Sequence, residues 1–213
     1  MDYKEIYTKD YFTGKSSCFY KFGYRNFWYF DHHYKMLQPY IPKGGKVLDV
    51  GCATGFFLSK FAQEGYTVWG MDVSAYAVQT AKKLIPQGTF VQQNAEETFP
   101  FENNFFDFIS MEDILEHLLY PEKALFQASR VLKKGGIIYV GGPQLSIIRR
   151  VFYKIPDKLE HHVSLKTVAE MNKMLTDYGF EIIASWTTLN PFVATKRFPS
   201  WLSPEFRIIA KKL

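Results

Sequence analysis

Cysteine is almost absent from this chain, with two in 213 residues, Cys18 and Cys52. Cys52 sits inside a short glycine-bounded turn that a disulfide would distort, so the sequence does not describe a disulfide-stapled scaffold. Neither cysteine stands at metal-ligand spacing, and His32-His33 and His161-His162 lack the second motif that would complete a zinc site. No metal is expected. No stretch approaches the ~18 apolar residues that a membrane-spanning helix requires. Met1 to Asp10 is polar, carries both signs of charge and lacks the apolar core of a secretion signal, so a cytoplasmic location is expected. Repeats, low-complexity tracts and long linkers are missing too, which argues for one domain over residues 1–213. The excess of positive charge is small, +5 from 26 basic and 21 acidic residues, and it is scattered. A polyanion-binding protein usually concentrates more charge than that.

Against these absences stands one informative run, Val47-Leu48-Asp49-Val50-Gly51-Cys52-Ala53-Thr54-Gly55-Phe56-Phe57. Val47, Leu48 and Val50 form strand, Gly51 and Gly55 let the backbone turn near a ligand, and Phe56, Phe57, Leu58 and Phe61 continue as an apolar helical stripe. Open α/β sheets hold nucleotides at such a junction. A dinucleotide fingerprint needs glycine at the first, third and sixth positions of the turn, and here the third is Ala53 and the sixth Phe56. That reading fails at two positions of three.

The segment instead resembles motif I of the class I S-adenosylmethionine-dependent methyltransferases, with Ala53 as a mild departure. The resemblance continues in register. Tyr66 to Ser74 looks like the second strand ending in the family's ribose-binding acid, Asp72, which lies about 20 residues beyond Gly51 as a βαβ unit imposes. Thr89 to Glu96 looks like the third strand and the adenine-contact turn, Asn94-Ala95-Glu96. Phe105 to Met111, then Glu112 to His117, resembles the fourth strand and the segment beneath the cofactor. Arg130 to Gly136 matches the helix end and glycine turn before a fifth strand, Ile137 to Gly141.

What the resemblance implies is a Rossmann-like α/β sandwich of three layers around a seven-stranded, mostly parallel sheet. Its order is 3-2-1-4-5-7-6, with an antiparallel last strand. Residues 45–213 form the catalytic core behind an aromatic-rich extension, 1–44. Ala75 to Leu84 and Pro121 to Leu132 read as crossover helices, Ser74 capping the first and Pro121 opening the second. Ser164 to Tyr178 reads as a later helix, and Phe180 to Thr187 and Phe206 to Lys212 as the last strands. The implied cofactor is S-adenosylmethionine, held by Asp49, Gly51, Cys52, Ala53, Gly55, Asp72, Val73, Asn94, Ala95, Glu96 and Met111. Asp72 also has a structural reading as a helix cap, as Met111 has one as core.

Aromatic residues are abundant, at 18%, and crowd between Tyr11 and Tyr40. Phe27, Phe30 and Tyr34 have helical spacing and read as a face packed on the sheet. Tyr11, Phe12, Tyr20 and Tyr24 lie in a less periodic stretch and are candidates to cover a cationic sulfonium, which aromatic faces attract. Arg25 is a candidate partner of the methionyl carboxylate.

The implied reaction is in-line displacement at the sulfonium methyl, where alignment and exclusion of water do most of the work. A hydroxyl nucleophile also needs a base, and His117, His161 and His162 are the candidates; each has a structural reading as well, in packing or in a helix lead-in. The pattern looks most like the branch that methylates small metabolites, quinone precursors included. The segment Ile147 to Lys154 mixes bases with aromatics, which keeps an RNA or protein substrate as an alternative and also suits a membrane surface or an anionic lipid-like substrate. A noncatalytic cofactor-binding module is the third reading.

Overall fold

A computed structural model describes residues 2–17, 27–189 and 198–213, the side chains of 27–29 standing outside that description. One sheet contains β1 (Lys46–Val50), β2 (Thr67–Asp72), β3 (Thr89–Gln92), β4 (Phe106–Glu112), β5 (Leu132–Pro143), β6 (Phe180–Thr188) and β7 (Glu205–Lys212). Their spatial order is 3-2-1-4-5-7-6, as the motif order implied. The first five strands run parallel, and β7 inserts antiparallel between β5 and β6. Flanking it are α1 (Tyr3–Ile6), α2 (Lys9–Phe12), α3 (Phe27–Leu37), α4 (Phe56–Gln63), α5 (Ala75–Leu84), α6 (Pro121–Val131), α7 (Ile147–Phe152), α8 (Lys154–Leu159) and α9 (Val168–Asp177).

The central strands are apolar on both faces because helices cover both. Val47, Phe108, Tyr139 and Ile209 point into one core with Leu58 and Phe61. Their chain neighbours Leu48, Ile109, Val140 and Ile208 point into the other with Leu125 and Ala128. Each fully buried large side chain contributes ~1.5–3 kcal/mol, so the middle of the sheet is the stable frame on which the site is built. The aromatic face expected of α3 is present where described, but it lies against α4 where the sheet was expected: Phe30 lies against Phe56 and Phe57, and Tyr34 meets Phe61 at a centroid distance of 5.1 Å.

Ser74 caps α5 as expected, its hydroxyl accepting the Ala77 N–H at 3.3 Å. Two boundaries differ from the sequence reading. The later helix begins after Thr167, not Ser164. Thr167 and Glu170 close a reciprocal capping box, while the Ser164 N–H is spent on the Glu116 carbonyl. β5 runs from Leu132 to Pro143 and exceeds the expected Ile137 to Gly141, because the Gly135 turn is absorbed where its pairing with β4 shifts register.

Helices of four residues do not persist alone. α1 and α2 are held by tyrosines: the Tyr3 hydroxyl donates to Glu96 at 2.9 Å, Tyr7 meets His117 Nδ1 at 2.9 Å, and Tyr11 donates to Glu160 at 2.9 Å. All three anchors draw the amino-terminal segment across the carboxyl ends of the strands. No helix among the described residues is long and apolar enough to cross a membrane.

Candidate active site

Beyond the ends of β1, β2 and β4, two cavities meet at Gly51 and Ala53. One is lined by Met71, Asp72, Val73, Asn94, Ala95 and Ile114, with Tyr7, Tyr11 and Phe12 along its rim. The other opens toward α3 and α4, between Asp49, Cys52, Thr54, His33 and Glu112. Gly51 is fixed by conformation and by space, with φ +78° and an added Cβ only 2.6 Å from Ile114 Cδ1.

Inside the turn four backbone donors are already used. Gly51 and Cys52 donate to the Met71 carbonyl at 2.8 and 3.0 Å, Ala53 donates to Asp72 Oδ2 at 2.9 Å, and Gly55 donates to the Cys52 carbonyl at 2.9 Å. These bonds tie the turn to β2 and leave a close-fitting floor.

Asp72 receives Ala53 N–H on one oxygen and Ser74 N–H on the other, at 2.8 Å. Burial pushes its carboxyl up to about 6, the two amides opposing that shift. Each oxygen keeps acceptor capacity toward the cavity. Asp49 accepts the Ser110 hydroxyl at 2.6 Å, and burial pushes it up to about 7. In the empty protein its folded pKa thus exceeds the unfolded value, so the folded state binds the extra proton and stability falls as pH rises from about 4 to about 7. Asp49→Asn is expected to raise stability at pH 8 by ~2–4 kcal/mol and to leave it unchanged near pH 4. Thermal melts of the cofactor-free proteins at both pH values check this, and an equal gain at pH 4 would contradict it.

Other site candidates are placed differently. Gly55, φ +84°, lets α4 start close against α5, since an added Cβ would lie 3.0 Å from Ala81 Cβ. Met111 is fully buried in the core under the site. Glu96 is engaged by the Tyr3 hydroxyl and the Tyr120 N–H, and it stands outside both cavities. Cys52 is buried, and burial pushes its thiol up, so it contributes shape and not a nucleophile. Arg25, Tyr20 and Tyr24 lie outside the described residues.

The histidines separate. His117, on the short 3-10 turn Leu115–His117 after β4, lines the first cavity, and burial together with His162 pushes its imidazole down to about 3. His162 packs on it with ring centroids 4.8 Å apart and holds Nδ1 2.8 Å from Asp157 Oδ1. His161 is exposed in a left-handed turn, φ +59°.

Residues that the sequence did not single out link these points into a buried chain of charge. His33 Nε2 lies 3.7 Å from Glu112, Glu112 lies 3.3 Å from Arg207, and Arg207 lies 3.5 Å from Glu205. Glu205 lies 3.4 Å from Arg149, whose guanidinium meets Asp157 at 2.5 Å. From the His33 end, the chain runs from the second cavity around the mouth to His162. The only local signal for any of it was Glu112-Asp113 directly after an apolar strand.

A family model described as a methyltransferase domain matches residues 25–185. The chain belongs to this family. Over 100 residues it is 34% identical to the ubiquinone biosynthesis O-methyltransferase of Klebsiella pneumoniae, covering 45% of this chain and 41% of that protein. The chain thus spans about two-fifths of the length of that relative. An uncharacterized protein of Methanocaldococcus jannaschii is 30% identical over 156 residues, 72% of each. Among solved structures, a methyltransferase of Thermotoga maritima, described as a possible histamine N-methyltransferase, superposes with a TM-score of 0.70 at 22% identity, covering 92% of this chain and 97% of that one. That likeness bears on the fold.

The family's cofactor is S-adenosylmethionine, and the site fits it. The floor at Gly51 has no room for a side chain, and a buried carboxylate faces each of the two cavities.

Proposed function

We propose that this methyltransferase-family chain transfers a methyl group to a hydroxyl of a small molecule. The observation that carries the reading is the paired cavity, with the His162-Asp157 dyad packed behind its lining residue His117. When bound, S-adenosylmethionine supplies a methyl already activated by its sulfonium charge. Asp72 holds the ribose hydroxyls, Asn94 and Ala95 border the base, and Asp49 provides an anion for the cationic methionyl end. Tyr7, Tyr11 and Phe12 narrow the entrance, which excludes water and favours a small acceptor over a polymer.

The histidine geometry supports His162 as the base. Asp157 and the Arg149 guanidinium both meet His162 Nδ1, and the reading assigns the proton transfer to Nε2. His117, held neutral by burial, orients the dyad and the Tyr7 hydroxyl. A hydroxyl acceptor agrees with the name of the Klebsiella relative, an O-methyltransferase. The absence of an appropriate membrane-spanning helix among the described residues is compatible with action in the cytoplasm. Arg149, the centre of the basic segment that kept RNA open as a substrate, is 2% exposed and paired with two carboxylates, so its charge is not offered to a polyanion.

The test is incubation with methyl-labelled cofactor and fractionated extract. Label is expected in a low-molecular-weight fraction, and His162→Gln is expected to lower turnover by ~10²–10⁴-fold with cofactor affinity unchanged. Label in RNA or protein, or normal turnover in the variant, would overturn the respective part.

A further inference from the structure

Six large apolar side chains stand more than half exposed around the helical pair α7 and α8: Ile147 60%, Val151 63%, Phe152 73%, Ile155 74%, Leu159 52% and Trp201 60%. Trp201 belongs to the same surface, because its carbonyl accepts the Ile147 N–H at 3.1 Å. Among these apolar groups the exposed charges are all positive, Arg150, Lys154 and Lys158. The acids of the segment are turned inward: Asp157 is paired with Arg149 and His162, and Glu160, 1% exposed, accepts Tyr11 and Ser17. Arg149, also buried, fixes the pair to the body of the protein through Asp157 and Glu205.

We propose that this face docks on the surface of an anionic lipid bilayer, with Phe152, Ile155 and Trp201 among the acyl chains and Arg150, Lys154 and Lys158 against the headgroups. Interfacial helices bind by that combination of apolar area and basic charge, and tryptophan settles at the same depth. Two other occupants fit less well. A second copy would bring like charges of the two faces together, since no exposed carboxylate accompanies them. Single-stranded nucleic acid needs aromatic platforms for its bases, and most of the apolar groups here are aliphatic.

Docking also has a consequence for the site. α7 and α8 lead directly into Glu160 and His162, which hold the cavity-lining residues Tyr11 and His117, so a bilayer on this face lies close to the cavity that a lipophilic acceptor would enter. Only that consequence rests on the proposed methyl transfer; the docking does not.

The experiment is flotation of the full chain with vesicles of phosphatidylcholine containing phosphatidylglycerol, and with phosphatidylcholine alone. Binding is expected to the anionic vesicles, weakened by salt, with Trp201 fluorescence quenched by brominated acyl chains. The double variant Phe152→Ser, Ile155→Ser is expected to lose about a hundredfold in partitioning. Lys154→Ser with Lys158→Ser is expected to lose about tenfold or more at low salt. All four positions are exposed, so unchanged circular dichroism and cofactor affinity are expected and separate lost docking from lost folding. The proposal is overturned by failure of the intact chain to float, by equal flotation of both double variants, or by dimerisation or RNA binding that the apolar substitutions abolish. Equal binding to both vesicle types would remove the anionic lipid from it.

Discussion

Asp72→Ala is expected to weaken S-adenosylmethionine binding by ~10²–10⁴-fold, because hydrogen bonds to a charged group contribute ~1.5–3 kcal/mol each and the carboxylate's proposed role is to accept two ribose hydroxyls. The same substitution also removes the acceptors of the Ala53 and Ser74 N–H groups, so the floor of the cavity loses its tie to β2. Asp72→Asn separates the two effects. It retains an amide oxygen for one backbone donor and is expected to fall between wild type and alanine.

The elevated pKa of Asp72 adds a signature that a purely structural role would not produce. Its carboxyl ionises at about 6 in the empty protein, and the ribose hydroxyls need the ionised form. Affinity is therefore expected to fall by a further tenfold per unit as pH drops below about 6, beneath the step that Asp49 sets near 7, while the asparagine variant lacks the lower step. Calorimetric titration across this range measures both. Alanine binding within about threefold of wild type would remove Asp72 from the cofactor site.

The place of Asp72, at the end of β2 and beside the cavity, could be read from sequence because its evidence is local: a strand, a glycine turn and a spacing that one βαβ unit dictates. The same holds for β1, where covered faces leave an unbroken apolar run, and for Ser74, which caps the helix it precedes. Local signals also existed where the reading went astray. Thr167-Val168-Ala169-Glu170 carries the capping-box pattern, and it outcompetes Ser164 because both of its bonds form together. The fifth strand was underestimated because Gly135 looks like a stop, whereas the sheet absorbs it as an irregularity.

Apart from Glu112 at its strand end, the charge network had no such signal in its long links. Tyr11 and Glu160 are 149 positions apart and Arg149 and Glu205 are 56 apart, so no window of sequence contains both members of either pair. Arg149-Arg150 reads as a solvated pair, yet only Arg150 meets solvent. A helix places consecutive residues about 100° apart, and the two arginines accordingly have opposite fates.

Arg149→Ala is for that reason expected to cost ~3–5 kcal/mol of stability, far beyond a surface arginine. Its removal takes the guanidinium from Asp157, which is left with His162, and one of two guanidiniums from Glu205, which is left with Arg207, in a space where each carboxylate is at least 87% buried. Lysine rescues only in part, since a single ammonium cannot reproduce the forked contact with Asp157 together with the reach to Glu205. Neutralising the whole cluster, with Arg149→Met, Asp157→Asn and Glu205→Gln, is expected to recover most of the stability because no charge is left unpaired. Turnover is not expected to return with it. In the proposed mechanism Asp157 orients His162, and an asparagine there would no longer stabilise the imidazolium formed when the acceptor loses its proton. Denaturant titration with parallel turnover measurements distinguishes these roles, and a single alanine variant that unfolds at the wild-type midpoint would show that water reaches the cluster.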